Sequence, residues 1–157
     1  MRPRVAILCR YLAFVAAANL VWETVQLPLY TIWREGSPYD LAVAVAHCTG
    51  GDVLIAAVSL ALAWVLVGGR AWPARRYGRA AAVAVVLGVV YTVFSEQYNV
   101  GVRATWAYSD LMPMVPILDV GLSPVAQWIF IPIAGLLWAG RAIAGVESKS
   151  SKSRRDK

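Results

Sequence analysis

LAVAVAHCTGGDVLIAAVSLALAWVLVG, residues 41–68, decides the fold. Crossing a hydrocarbon core takes roughly 20 apolar residues at about 1.5 Å per helical residue, and this stretch has them. It also carries His47, the only histidine in the chain, and Asp52. A membrane span with a polar insert is therefore the first thing the sequence presents.

Three further stretches have the same character: 10–33, 80–99 and 124–140. Composition agrees, since 59% of the 157 residues are hydrophobic and only 15% are charged. Soluble domains are nearer half apolar and a quarter charged. The expected fold is all-α: a polytopic membrane protein built as a four-transmembrane-helix bundle. Residues 1–145 form the four-span domain, and the basic tail 146–157, almost without apolar residues, is expected to be disordered. Pro28 and Pro132 are expected to kink their helices rather than end them. The MRPR start followed by Ala16–Ala18 imitates a signal peptide, but Arg10 interrupts its apolar core and the apolar run continues past the alanines. Cys9 and Cys48 give no disulfide framework.

The net charge of +6 reflects topology rather than nucleic-acid binding. Arg2, Arg4 and Arg10 precede the first span, and Arg70, Arg75, Arg76 and Arg79 separate the second from the third. Arg141, Lys149, Lys152, Arg154, Arg155 and Lys157 follow the fourth, leaving Arg34 and Arg103 for the other two loops. The positive-inside rule puts both termini in the cytoplasm, in a plasma or bacterial inner membrane. The loop 101–123 is too apolar for free solution and is broken by Pro113 and Pro116. It reads as an outer lid or re-entrant segment, with Trp106 and Tyr108 as anchors and Asp110 and Asp119 at its wet edge.

Glu23, His47, Asp52 and Glu96 fall inside the spans, where a charge costs several kcal/mol unless partnered. Asn19, Glu23, Gln26 and Tyr30 recur at helical spacing, with Trp22 beside them. Thr92, Glu96, Asn99 and Arg103 repeat the pattern with Ser95. All lie near the middle or in the outer half, as does Gln127. They predict one polar pocket opening outward, with Glu23 and Glu96 converging in it and His47 entering the same layer. Gly50 and Gly51 are expected to admit a close neighbouring helix. Cys48 shares a helical face with Asp52, whereas His47 lies about 140° from Asp52.

Burial favours the neutral forms of carboxylic acid and imidazole, so Glu23 or Glu96 and His47 suit proton transfer. Glu23, His47, Asp52 and Glu96 are the candidate catalytic residues. Asn19, Trp22, Gln26, Asn99, Arg103, Trp106, Tyr108, Asp110 and Gln127 are the candidate substrate-binding residues. The expected function is a membrane enzyme doing acid–base chemistry on a lipid or other apolar small molecule. A non-catalytic binder, carrier or proton-linked transport component is the alternative, and a structural subunit is the third. Polar contacts between membrane helices contribute only about 0.6 kcal/mol on average, which makes four ionisable groups a costly glue. A metal held by His47 and the carboxylates lacks any HExxH or CxxC spacing, so the sequence specifies no cofactor. Adjacent Cys48 and His47 point about 100° apart, which disfavours a thiol nucleophile. Expected partners are membrane lipids, an apolar small molecule, and a second copy or partner membrane protein; nucleic acid is not expected.

Overall fold

A computed structural model describes residues 3–70 and 72–155, with side chains described for 4–70 and 72–141. It is mostly helical, and four helices are long and apolar enough to cross a membrane: Arg4–Leu29, Pro38–Gly68, Tyr77–Val102 and Leu122–Arg141. These suggest a membrane helical bundle.

The first helix, α1 (Pro3–Gln26), stops earlier than the sequence suggests. Pro28 does not kink it; a 3₁₀ turn over Leu27–Leu29 ends it. Proline has no N–H to donate to the preceding turn. The backbone that follows finds other partners. Thr31 N donates to the Ala107 carbonyl at 3.0 Å, and Ser109 N donates to the Leu29 carbonyl at 2.9 Å. A short α2 (Ile32–Glu35) leads to α3 (Pro38–Ala63). This helix begins three residues before the apolar run because Ser37 and Asp40 form a reciprocal capping box, with Pro38 in the first turn. A π-helical turn, Trp64–Gly68, extends it.

The next helix, α4 (Tyr77–Glu96), passes at Glu96 into a second π-helical segment, Gln97–Val102. A small antiparallel ribbon follows, β1 (Met114–Val115) and β2 (Val120–Gly121), with Met114 opposite Gly121 and Val115 opposite Val120. The last helix, α5 (Leu122–Arg155), runs through Pro132 and past the end of its span. Its helical backbone continues to Arg155, into the tail for which composition predicts no ordered structure. The tail's side chains, and Asp156 and Lys157 entirely, lie outside the described residues.

The long helices pack in a ring: α1 lies against α3 and α5, and α4 lies against the same two. So α1 and α4 stand diagonally across the bundle. Between them, Ile7, Tyr11, Val15, Ala56, Leu60, Ala84 and Ile131 form the apolar core. The expected close approach at Gly50 and Gly51 is not there, since a Cβ at either would meet nothing within 4 Å. The tight contacts are at Gly88 and Gly135. A Cβ at Gly88 would lie 2.4 Å from the Trp128 ring, and one at Gly135 would lie 2.9 Å from Phe14 Cδ1. Glycine spacing within one helix does not reveal which face meets a bulky partner.

At one end of the bundle, arginines pair with aromatic rings and carbonyls. Arg4 Nε donates to the Trp72 carbonyl at 2.8 Å, and its guanidinium lies 5.3 Å from the Trp64 ring centre. Arg10 sits 4.4 Å from the centre of the Trp138 ring.

Replacing Gly88 with alanine forces Trp128 to move, so Gly88→Ala is expected to lower stability by about 1–3 kcal/mol. Gly51→Ala is expected to be neutral. Thermal unfolding of both variants in detergent measures the difference.

Candidate functional site

The polar side chains of the opposite end form one buried layer. Asn19 and Glu23 descend one face of α1, separated by one helical turn. Asp52 enters from α3 and Gln127 from α5. These four are 2%, 9%, 8% and 2% exposed respectively. Gln127 is the hub. Its Nε2 lies 2.7 Å from Asn19 Oδ1, 2.8 Å from Glu23 Oε1 and 3.0 Å from Asp52 Oδ2. Three acceptors around one nitrogen also fix which way the carboxamide points, because the flipped amide would set oxygen against oxygen. Trp128 Nε1 donates to the other Asp52 oxygen at 3.0 Å.

A chain of weaker contacts extends this hub towards the end of the bundle. Gln26 Nε2 lies 3.4 Å from Gln127 Oε1, at the edge of hydrogen bonding. Ser123 Oγ donates to Gln26 Oε1 at 2.8 Å and accepts from Trp22 Nε1 at 3.2 Å.

Glu23 and Asp52 are brought side by side by their shared contact with Gln127 Nε2, and Cys48 lies on the Asp52 face of α3. Two ionised carboxylates are both acceptors only, so a hydrogen bond between them requires one proton. No salt bridge is formed by these groups among the described residues.

Glu96 forms the second half of the layer. It is 7% exposed and accepts from the Tyr108 hydroxyl. The Tyr108 phenol belongs to the 101–121 loop, whose 107–109 segment pairs with 29–31 through the Tyr30–Tyr108 bridge. The Tyr30 ring packs against that of Tyr108, with ring centres 5.5 Å apart, and lies close to both Glu96 and Glu23. Burial, then the hydrogen bond to Glu96, holds the Tyr108 phenol above its ordinary value of 10.0 and keeps it a donor. Thr92, one turn from Glu96, is buried with its hydroxyl unpartnered, and the buried Trp106 indole nitrogen lies beside Glu96 without a well-formed hydrogen bond.

The structure therefore brings Glu23, Asp52, Glu96, Asn19, Gln26, Tyr108 and Gln127 together, with Trp22 and Trp106 at the margin. It leaves others out. His47 is exposed and does not enter the layer, because the face bearing Cys48 and Asp52 turns inward and carries the imidazole outward. Asn99 bonds locally, its Nδ2 lying 2.8 Å from the Ser95 carbonyl and 3.1 Å from Ser95 Oγ. Arg103 and Asp110 are exposed. Among the described residues, no three of His, Cys, Asp and Glu come together as a metal-ligand set.

Four participants were not among the sequence candidates: Tyr30, Cys48, Ser123 and Trp128. Tyr30 was on the polar stripe of α1 and Cys48 on the Asp52 face. Ser123 precedes Gln127 by one helical turn, a short stripe of the same kind. Only the packing at Gly88 explains why Trp128 turns inward.

Comparison with protein-family models, curated protein sequences and solved structures gave no match to the chain.

Leucine at 127 would leave three buried acceptors without their shared donor. Gln127→Leu is expected to cost about 1–3 kcal/mol of stability, and Ser123→Ala, at the half-buried margin, less. Denaturation of the detergent-solubilised variants tests the order.

Proposed function

We propose that this protein is a membrane enzyme that moves protons on a lipid or other apolar small molecule. Glu23, Asp52 and Glu96 act as its acid and base groups. The observation that carries the reading is the Glu23–Asp52 pair, two buried carboxyl groups from different helices gathered on one amide nitrogen. A pair that holds one proton between two carboxyls releases or accepts it with little rearrangement, as general acid–base chemistry needs. Glu96, with the Tyr108 hydroxyl as its donor, is a third carboxyl group, beneath the loop. Asn19 and Gln127 orient the pair, and Trp22 and Trp106 offer aromatic walls for an apolar substrate.

The charge distribution supports an orientation with both termini in the cytoplasm and the carboxyl layer towards the outer side of a plasma or bacterial inner membrane. The 101–121 loop then covers the layer from outside. Reporter fusions at Arg75 or Arg76 and at the C-terminus are expected to report cytoplasm, and fusions at Gly36 or Asp110 the outside. An external signal from Arg75 or Arg76 refutes the orientation.

A proton-linked carrier is the second reading, favoured because Asn19, Glu23 and Asp52 already engage the Gln127 amide rather than facing an open space. Mass spectrometry of apolar extracts from membranes with and without the protein separates the two. Chemical conversion of a species marks the enzyme, and redistribution without conversion marks the carrier. Glu23→Gln, Asp52→Asn and Glu96→Gln are expected to slow conversion about 100-fold or more while the protein still accumulates in the membrane. Unchanged conversion in all three variants overturns the assignment.

A further inference from the structure

At the arginine-rich end, a groove of about 420 Å³ runs between α4 and α5. Small residues, Gly78, Ala81 and Ala82, recess the α4 wall, while Ile133 and Leu137 form the α5 wall. From Tyr77 to Val86 the groove follows α4 for roughly 14 Å, at 1.5 Å per residue. That is about half of a hydrocarbon core of roughly 30 Å, the depth of one leaflet.

Each wall has an arginine beside that end, Arg79 between the lining residues Gly78 and Ala81 and Arg141 one turn beyond Leu137. On α4, Arg79, Ala82 and Val86 share a stripe at helical spacing, with Arg79 nearest the arginine-rich end. On α5, Ile133, Leu137 and Arg141 recur every four residues, with Arg141 at the same end. Arg79 and Arg141 are exposed. The two helix ends are held together, since a Cβ at Gly140 would lie 3.0 Å from Tyr77 Cε1 and Tyr77 Oη donates to the Leu136 carbonyl at 2.6 Å. An apolar groove about one leaflet deep is thus flanked near that end by two exposed cationic side chains.

We infer that this groove holds one acyl chain of an anionic phospholipid, with the phosphate taken by Arg79 and Arg141. The two guanidinium groups match a phosphate oxygen set, and the groove offers the attached chain almost nothing polar. A second copy of the protein fits less well. A two-fold pairing across this surface would bring the same arginines towards one another. The lipid site lies at the opposite end of α4 from Glu96, so it does not depend on the acid–base reading.

Native mass spectrometry of the full chain tests the inference, in detergent with equal phosphatidylglycerol and phosphatidylcholine. The wild type is expected to retain phosphatidylglycerol preferentially. Arg79→Gln with Arg141→Gln, both at exposed positions, is expected to reduce that preference roughly tenfold or more. Ala82→Trp, which fills the groove, is expected to lose retention of both lipids. Glu23→Gln is expected to retain phosphatidylglycerol as the wild type does. Preference unchanged in the double arginine variant overturns the inference. So does retention that survives Ala82→Trp but is lost when 146–157 is removed, which would place the lipid on the tail. Loss of a dimer rather than of lipid in Ala82→Trp would assign the groove to a second copy.

Discussion

A buried carboxyl group needs a hydrogen-bond partner, and in this bundle two of them depend on the Gln127 carboxamide. Its nitrogen touches side chains from α1 and α3, so three helices are tied at one point. Apolar packing between helices in lipid gives little directional information, because lipid chains are as apolar as leucine. A polar hub does give direction. It sets the rotation of α1, which must turn Asn19 and Glu23 inward, and of α3, which must turn Asp52 inward. The exposure of His47 follows from the same rotation.

The hub and the apolar packing below it are mechanically linked through Trp128. Its ring lies over Gly88 on α4, and its indole nitrogen reaches Asp52 on α3. A side chain on α5 therefore touches its neighbour α4 and the diagonally opposite α3 at once. Glu96, on the diagonal partner of α1, is held differently. It depends on Tyr108, and Tyr108 is placed only because the broken end of α1 pairs with the loop. Pro28 thus influences a carboxyl group on another helix through the backbone it frees.

The two ends of the bundle solve different problems. The carboxyl end buries polar groups against each other and closes them under a loop with a two-stranded ribbon. The arginine-rich end rests Arg4 and Arg10 on aromatic rings, with Arg4 also on a carbonyl, an arrangement suited to a membrane interface. That division keeps the buried carboxyl groups and the arginines at separate ends of a small chain.

Hydropathy and spacing determined the helical class, the four long apolar helices and the polar stripes, because length and period are local properties of a chain. They also marked Glu23, Asp52, Glu96 and Gln127, since a polar residue in an apolar run is visible without a structure. The capping box at Ser37 was equally local, though an apolar-run boundary overlooked it. Facing was not local. Which side of α3 turned inward depended on the partner offered by α5, and that excluded His47 in favour of Cys48. The close glycine contacts depended on where Trp128 and Phe14 lay. The role of Tyr108 depended on a backbone pairing between segments far apart in sequence. Only tertiary structure could decide these, because each is set by a neighbour that the sequence does not place.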